Sequence, residues 1–109
     1  MPLEIPIREA KQKLDAEPNT VLLDVREPQE YALAHVKDSL LIPMNSVPSE
    51  LQKLEALADD ADILVLCHHG VRSLQVATWL QAKGIENATS IMGGIDRWSV
   101  EIDSSVPRY

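Results

Sequence analysis

The sequence contains one cysteine, no phenylalanine and no long apolar stretch. A single cysteine excludes an intrachain disulfide and any zinc or redox site of the Cys-x-x-Cys type. No apolar run approaches the ~20 residues that a membrane-spanning helix needs. The opening residues, Met1 to Glu4, lack the basic and apolar regions of a signal peptide. We therefore expect a cytoplasmic protein, where reducing conditions would keep the thiol free.

Basic residues are also scarce. Ten Lys and Arg stand against 17 Asp and Glu, which gives a net charge of −7. A chain this acidic is not expected to bind nucleic acid or an anionic membrane. Its 109 residues, 45% hydrophobic and 25% charged, suit one globular domain. We expect a single domain over residues 1–109, with an extended polar tail at about 100–109.

Short apolar runs that predict strands alternate with patterns that predict helices. The predicted strands are 3–7, 21–25, 39–42, 63–66 and 88–92. The predicted helices are 8–16, 28–34, about 48–58, 74–83 and a short one around Trp98. This alternation predicts an α/β fold with a mostly parallel sheet and right-handed crossovers.

Cys67 follows the predicted strand 63–66 directly and precedes a loop and a helix. Ligands of parallel sheets bind beyond the carboxyl ends of the strands, and a helix N-terminus attracts anions. Gly70 lets the backbone N–H groups of the loop point inward, and Arg72 adds a planar cation. A lone cysteine that ends an apolar run is ordinarily a core residue. Core packing does not explain the glycine, the arginine and the helix, so the pattern favours a nucleophilic thiolate in an anion-binding loop.

Three stretches of the chain, in order, resemble the rhodanese family. The segment Cys67 to Ser73, CHHGVRS, matches C-x-x-G-x-R-S, the pattern of the family's active-site loop. Residues 23–43 resemble the family's D-V-R, E-Y, G-H-I and I-P patterns, and residues 93–98 resemble its late G-G-x-x-x-W. The likeness covers about 5–98. Its departures, Ala34 for Gly and Asp38-Ser39 for Gly-Ala, lie away from the cysteine loop and concern turn geometry.

The resemblance implies a rhodanese-like three-layer α/β fold, with a mostly parallel five-stranded sheet and helices on both faces. It implies a sulfurtransferase that moves a sulfane sulfur from thiosulfate or another donor to a nucleophilic acceptor, through a persulfide on Cys67. No cofactor and no metal are expected. The expected substrate-binding residues are those of the loop: His68, His69, Gly70, Val71, Arg72 and Ser73. Among them, Arg72 is expected to orient the donor anion.

Asp24 and Arg26, at the end of the second predicted strand, are candidates for supporting the site. Arg26 and Glu30 are spaced so that they could pair across the corner between this strand and the next helix. A structural ion pair is favoured there over a role in substrate binding. His35 is expected to be structural as well, with a hydrogen-bonded ring that holds the same corner.

Two other chemistries are disfavoured. Cysteine phosphatases and arsenate reductases carry a longer C-x5-R loop that holds a phosphate tetrahedron, whereas four residues separate Cys67 from Arg72 here. A metal site built from Cys67, His68, His69 and His35 is suggested only by residue type, because no ligand-pair spacing is present. The two adjacent histidines are expected to rim the mouth of the site instead.

A binding module or sulfur relay for a protein partner, with little turnover of thiosulfate, stays open as the main alternative. Residues 98–107 resemble the C-terminal rhodanese domain of fused adenylyltransferases, which serve sulfur-carrier pathways. On that likeness, the sulfur acceptor would be a protein rather than a small molecule.

Overall fold

The computed structural model describes all residues from Met1 to Tyr109, and five parallel strands form its centre. The strands are β1 (Glu4–Ile5), β2 (Val21–Asp24), β3 (Leu40–Leu41), β4 (Ile63–Leu66) and β5 (Ala88–Ile91). Their order across the sheet is β1-β5-β4-β2-β3. The helices are α1 (Ile7–Ala16), α2 (Pro28–Leu33), α3 (Leu51–Ala58), α4 (Val71–Ala82) and α5 (Gly94–Glu101). None of them is both long and apolar enough to cross a bilayer.

The helices cover both faces of the sheet, so the predicted three-layer α/β architecture is confirmed. On one face Leu23 and Val65 pack with Leu54 of α3 and Leu80 of α4. On the other face the neighbouring strand residues pack against α1 and α5. All four residues of β4 are fully buried. Burial on both faces explains why the strand sequences are continuously apolar instead of alternating.

Two helices begin at a different residue from the one predicted, and in each case a proline or a glycine sets the start. β1 ends at Ile5 because Pro6 acts as the N-cap of α1, so Ile7 belongs to the helix. The helix after Cys67 begins at Val71, three residues earlier than expected, because Gly70 takes a left-handed φ of 106° and caps it. Arg72 and Ser73 therefore lie in the first turn of α4 rather than in a loop.

The segment 48–58 also differs, since a 3₁₀ turn over Pro48–Glu50 precedes α3. At the C-terminus, α5 continues to Glu101, so the tail that was expected at about 100–109 begins at residue 102. The tail is not a free extended segment either. Val106 is buried in the core under α1 and α5, and Arg108 pairs with Asp96 at 2.9 Å. An apolar anchor and an ion pair hold the tail against the domain.

Candidate active site

Cys67 lies at the carboxyl end of the central strand, where β4 stops and the backbone turns into α4. Its side chain is only 1% exposed. The backbone N–H of Gly70 donates to Sγ at 3.0 Å, which is a close contact for a sulfur acceptor. Of the predicted cradle of backbone donors, the structure shows one N–H at the sulfur, and it comes from the residue that also caps α4. The N-terminus of this helix places a partial positive charge beside Sγ.

A second hydrogen-bond partner of the thiol lies beneath it. The Cys67 thiol donates to Ser73 Oγ at 3.3 Å, and Ser73 Oγ is 2.7 Å from Ser90 Oγ. Both serines are fully buried. When the thiol ionises, the Ser73 hydroxyl can turn its proton toward the sulfur. The Ser90 hydroxyl can then donate its own proton to Ser73 Oγ, so the bond between the two serines is kept. The sulfur would then accept two hydrogen bonds, from Gly70 and Ser73.

Ser90 was not recognised from the sequence as a residue of the site. It lies on β5, opposite Val65 of β4 in the parallel register. Cys67 comes two residues after Val65, so the two side chains lie on the same face of the sheet, and both belong to the same core cluster. The signal in the sequence was the pair of hydroxyl residues Thr89 and Ser90 inside a predicted strand, which the structure shows to be buried throughout.

The glycine pair at the start of α5 anchors the cysteine loop. The N–H of Ile95 donates to the carbonyl of Cys67 at 2.8 Å, and the N–H of Asp96 donates to the carbonyl of His68 at 3.1 Å. A Cβ atom at Gly94 would collide with both of these carbonyl oxygens. The predicted turn at Gly93-Gly94 therefore has a second role, which is to let the N-terminus of α5 dock on the loop.

Arg72 forms a bidentate ion pair with Glu30 of α2, although the sequence assigned it to a donor anion. Nη1 and Nη2 lie 2.6 and 2.9 Å from the two carboxylate oxygens. The carboxylate also accepts the phenol O–H of Tyr109 at 2.6 Å and the N–H of Glu27 at 3.0 Å. The guanidinium of Arg72 is the main reason why the pKa of Glu30 falls to about 2. Glu30 in turn raises the pKa of Arg72.

The predicted ion pair between Arg26 and Glu30 is wrong. Arg26 is fully buried and binds Asp24, with Nη2 2.7 Å and Nε 3.0 Å from its oxygens. It also donates to the carbonyl of Ala34 at 2.7 Å and to the hydroxyl of Tyr109 at 2.9 Å. From Glu30 it reaches only the backbone carbonyl, at 3.4 Å. A buried guanidinium needs a partner in the same apolar environment, and Asp24 provides it.

The loop histidines lie at the outer side of the loop, where the tail covers one of them. The ring of His68 stacks on Tyr109, with centroids 4.0 Å apart, and contacts His69 at 3.9 Å. Burial lowers the pKa of His68 below its ordinary value, so its imidazole is neutral at pH 7. His69 is exposed to solvent. Val71 is exposed too, at 68%.

His35 has the structural role expected of it. Its Nδ1 lies 3.0 Å from the carbonyl of Tyr31, and the two rings stack with centroids 4.2 Å apart. No three His, Cys, Asp or Glu side chains are grouped so that they could hold a metal ion. Of the predicted site residues, the structure brings Cys67, Gly70 and Ser73 together at the sulfur, while Arg72 turns to Glu30.

Known proteins resemble this chain in both sequence and structure. The family described as rhodanese-like domain matches residues 7–101. The thiosulfate sulfurtransferase GlpE of Haemophilus influenzae is 39% identical over 72% of this chain and 71% of its own length. The maize adenylyltransferase and sulfurtransferase MOCS3-2 is 33% identical over 96% of this chain. The crystal structure of SSP1007 from Staphylococcus saprophyticus superposes with a TM-score of 0.79 and 30% identity, over 96% of this chain and 98% of the other.

The relatives differ widely in length. The chain spans 23% of the maize protein and 30% of a chloroplastic Arabidopsis thaliana protein that carries rhodanese-like and PpiC domains. The match with the Arabidopsis thaliana protein covers 81% of this chain, at 37% identity. The same kind of domain therefore occurs both in short proteins and as one part of longer ones.

Proposed function

The chain belongs to the rhodanese-like domain family, and from that premise we propose that it is a sulfurtransferase that carries sulfane sulfur as a persulfide on Cys67. The observation that carries the proposal is the position of Sγ. It lies at the N-terminus of α4 and accepts the Gly70 N–H at 3.0 Å. A sulfur anion formed there is stabilised by the Gly70 N–H and by the partial positive charge at the N-terminus of α4, at a residue that is almost wholly buried.

The first half-reaction loads the enzyme. The Cys67 thiolate attacks the outer sulfur of the donor and forms a new sulfur–sulfur bond. The donor's own bond to that sulfur breaks and its electron pair leaves with the remaining fragment, which is sulfite when the donor is thiosulfate. Cys67 then holds one additional sulfur as a persulfide. The N–H of Gly70 and the hydroxyl of Ser73 are in contact with Sγ and are the protein groups that orient it.

The second half-reaction unloads the sulfur. A nucleophilic acceptor, such as a thiolate or cyanide, attacks the outer sulfur of the persulfide, and the Cys67 thiolate leaves. The serine pair can again donate a hydrogen bond to the sulfur of Cys67 as its negative charge returns. Loading and unloading are separate steps through one covalent intermediate, so the kinetics should be ping-pong. No metal or cofactor is needed for either step, and a cytoplasmic location would keep the thiol reduced.

A relay function toward a protein acceptor is the second candidate. It is supported by the match with the maize adenylyltransferase and sulfurtransferase, which extends over 96% of this chain. It is also supported by a putative sulfur carrier protein, YrkF, of Bacillus subtilis, which is 30% identical over 88% of the chain. In this case the same persulfide would form on Cys67, but it would be unloaded by a protein partner.

Steady-state kinetics test the proposal. Thiocyanate formation from thiosulfate and cyanide should give parallel lines in double-reciprocal plots when both substrates are varied, and Cys67→Ser should abolish it. Intersecting lines would contradict a covalent sulfur intermediate. Rapid loading with slow release to cyanide would favour the protein-acceptor candidate.

A further inference from the structure

The cations around the loop are each paired with one carboxylate. Arg72 binds Glu30, Arg26 binds Asp24, and Arg108 binds Asp96, whose N–H anchors the loop carbonyl of His68. The imidazole of His68 adds no charge, since burial keeps it neutral at pH 7. Arg97, whose side chain lies against Gly93, is paired with Glu101, a carboxylate that Arg8 also binds. Arg72, the cation of the loop itself, is therefore not free to receive a donor with several negative charges.

The pair between Arg72 and Glu30 is held from several sides. Beyond the two guanidinium contacts, the carboxylate is held by Tyr109 and by the N–H of Glu27, the N-cap of α2. Side chains of both residues are largely buried, with 29% and 17% exposed. Arg72 could turn to an anionic donor only by breaking a bidentate pair and leaving Glu30 with its charge unmatched.

The remaining positive potential comes from backbone N–H groups, and the Cys67 sulfur already accepts a hydrogen bond from one of them. A helix N-terminus contributes roughly half an elementary charge. The N–H of Gly70 already points at the sulfur. A donor that approaches the Cys67 thiolate therefore meets one full negative charge at the sulfur, while the paired charges of Arg72 and Glu30 cancel and offer the donor no net attraction. Repulsion grows in proportion to the charge that the donor carries.

We propose that Glu30 is a specificity-determining residue that selects sulfane donors by charge, by keeping Arg72 from acting as an anion receptor. The proposal rests on the sulfurtransferase function proposed above and narrows its donor class. A persulfide carried on a thiol, with at most one charge at the reacting end, is favoured over the thiosulfate dianion. In that transfer, the Cys67 thiolate takes the outer sulfur of R–S–SH to give Cys67–S–SH, and R–S⁻ leaves.

Two donors of similar shape and different charge isolate this effect. Thiosulfate carries two negative charges, and methanethiosulfonate, in which a methyl group replaces one oxyanion, carries one. Both leave the same persulfide on Cys67, with sulfite or methanesulfinate as the second product. The second-order rate constant of loading is measured for each donor by intact-protein mass in the wild type and in Glu30→Gln. Glutamine is isosteric and keeps one acceptor oxygen, while its NH2 group cannot accept the hydrogen bonds made to the other carboxylate oxygen.

Glu30→Gln should raise the rate constant for thiosulfate by roughly tenfold and that for methanethiosulfonate by about threefold, because the uncompensated Arg72 attracts a dianion twice as strongly as a monoanion. The ratio of the two rate constants should therefore shift by about threefold toward thiosulfate. Glu55→Gln removes the same charge beside Lys83 and Gly84, at the far end of α4, and should leave the ratio unchanged. Tyr109→Phe removes one hydrogen bond to Glu30 but leaves its charge and its ion pair with Arg72. The ratio of the two rate constants should therefore also stay unchanged in this variant.

The wild type alone offers an independent check. Added salt screens repulsion, so it should speed loading by thiosulfate more than loading by methanethiosulfonate. If salt slows thiosulfate more, the dianion is attracted, and the proposal is overturned. An unchanged ratio in Glu30→Gln, with both donors loading Cys67, would overturn the charge selection and leave the sulfurtransferase function intact. Failure of both donors to load a titratable Cys67 would overturn both proposals.

Discussion

Ser90 Oγ lies 2.7 Å from Ser73 Oγ, and both hydroxyls are buried beneath the thiol of Cys67. Ser90 makes no hydrogen bond to the sulfur itself; it acts through Ser73, whose Oγ lies 3.3 Å from Sγ. We regard it as a positioning residue. It holds the Ser73 hydroxyl in the orientation from which a proton can be donated to a thiolate.

Ser90→Ala should make the thiolate harder to form, because Ser73 would lose the hydroxyl that donates to it when Ser73 turns its own proton toward the sulfur. The loss of one buried hydrogen bond, about 1 kcal/mol, corresponds to a shift of somewhat less than one pH unit. The pH profile of Cys67 alkylation by iodoacetamide should move to higher pH by this amount. Ser99→Ala is a matched control, since Ser99 is buried but donates to the carbonyl of Ile95. Equal profiles for Ser90→Ala and the wild type would refute the positioning role.

Gly94→Ala should destabilise the fold strongly. The residue has a φ of 58°, and its added Cβ would collide with the carbonyl oxygens of Cys67 and His68. Strained φ and steric overlap together should lower the free energy of unfolding by roughly 3 kcal/mol or more. Gly84→Ala serves as the control, because Gly84 also has a positive φ, 97°, but nothing lies within 4 Å of its Cβ position. Urea denaturation should show a loss of only about 1 kcal/mol there; similar losses at both glycines would contradict the docking of α5 on the loop.

Glu30 should make stability depend on acidic pH. Its pKa in the folded protein is about 2, below the ordinary value of 4.5, so folding favours the carboxylate. The stabilisation is complete above about pH 4.5 and is lost as the pH falls toward 2. With solvent screening allowed for, roughly 1–2 kcal/mol is involved. Glu30→Gln should therefore be less stable than the wild type at pH 6, and this difference should narrow between pH 4.5 and 2 in urea denaturation. A constant difference across that range would speak against the ion pair with Arg72.

Local sequence was sufficient to place Cys67 and the fold around it. The buried strands are continuous apolar runs, the glycine at 84 follows the end of α4 as predicted, and the alternation of strands with helices implies the parallel sheet. These features depend on neighbours in the chain, so periodicity and turn residues are enough to find them.

Partner choice among charged residues could not be predicted in the same way. The spacing of Arg26 and Glu30 suggested a pair, but Arg26 precedes α2 and turns back to Asp24 in the buried layer. Glu30 pairs with Arg72 in the first turn of α4, and these two residues are 42 positions apart in the chain. Each choice depends on which elements meet in space, and that depends on the register and packing of the whole domain.

Contacts of the tail and of Ser90 were hidden for related reasons. A polar C-terminal segment gives no sign that Tyr109 will stack on His68 and bind Glu30. The place of Ser90 follows from the pairing of Val65 with Ser90 across β4 and β5, which a single sequence does not contain. Once the register is known, a hydroxyl residue in a fully buried strand is a strong indication of a specific partner.

Sulfur transfer through Cys67 can be observed by measuring the intact-protein mass after incubation with a sulfane donor. Thiosulfate and methanethiosulfonate are used in parallel, with Cys67→Ser alongside. We expect the wild type to gain one sulfur atom that cyanide removes, and Cys67→Ser to gain none. A wild-type protein that gains no sulfur from either donor, while thiol titration finds Cys67 free, would contradict this expectation.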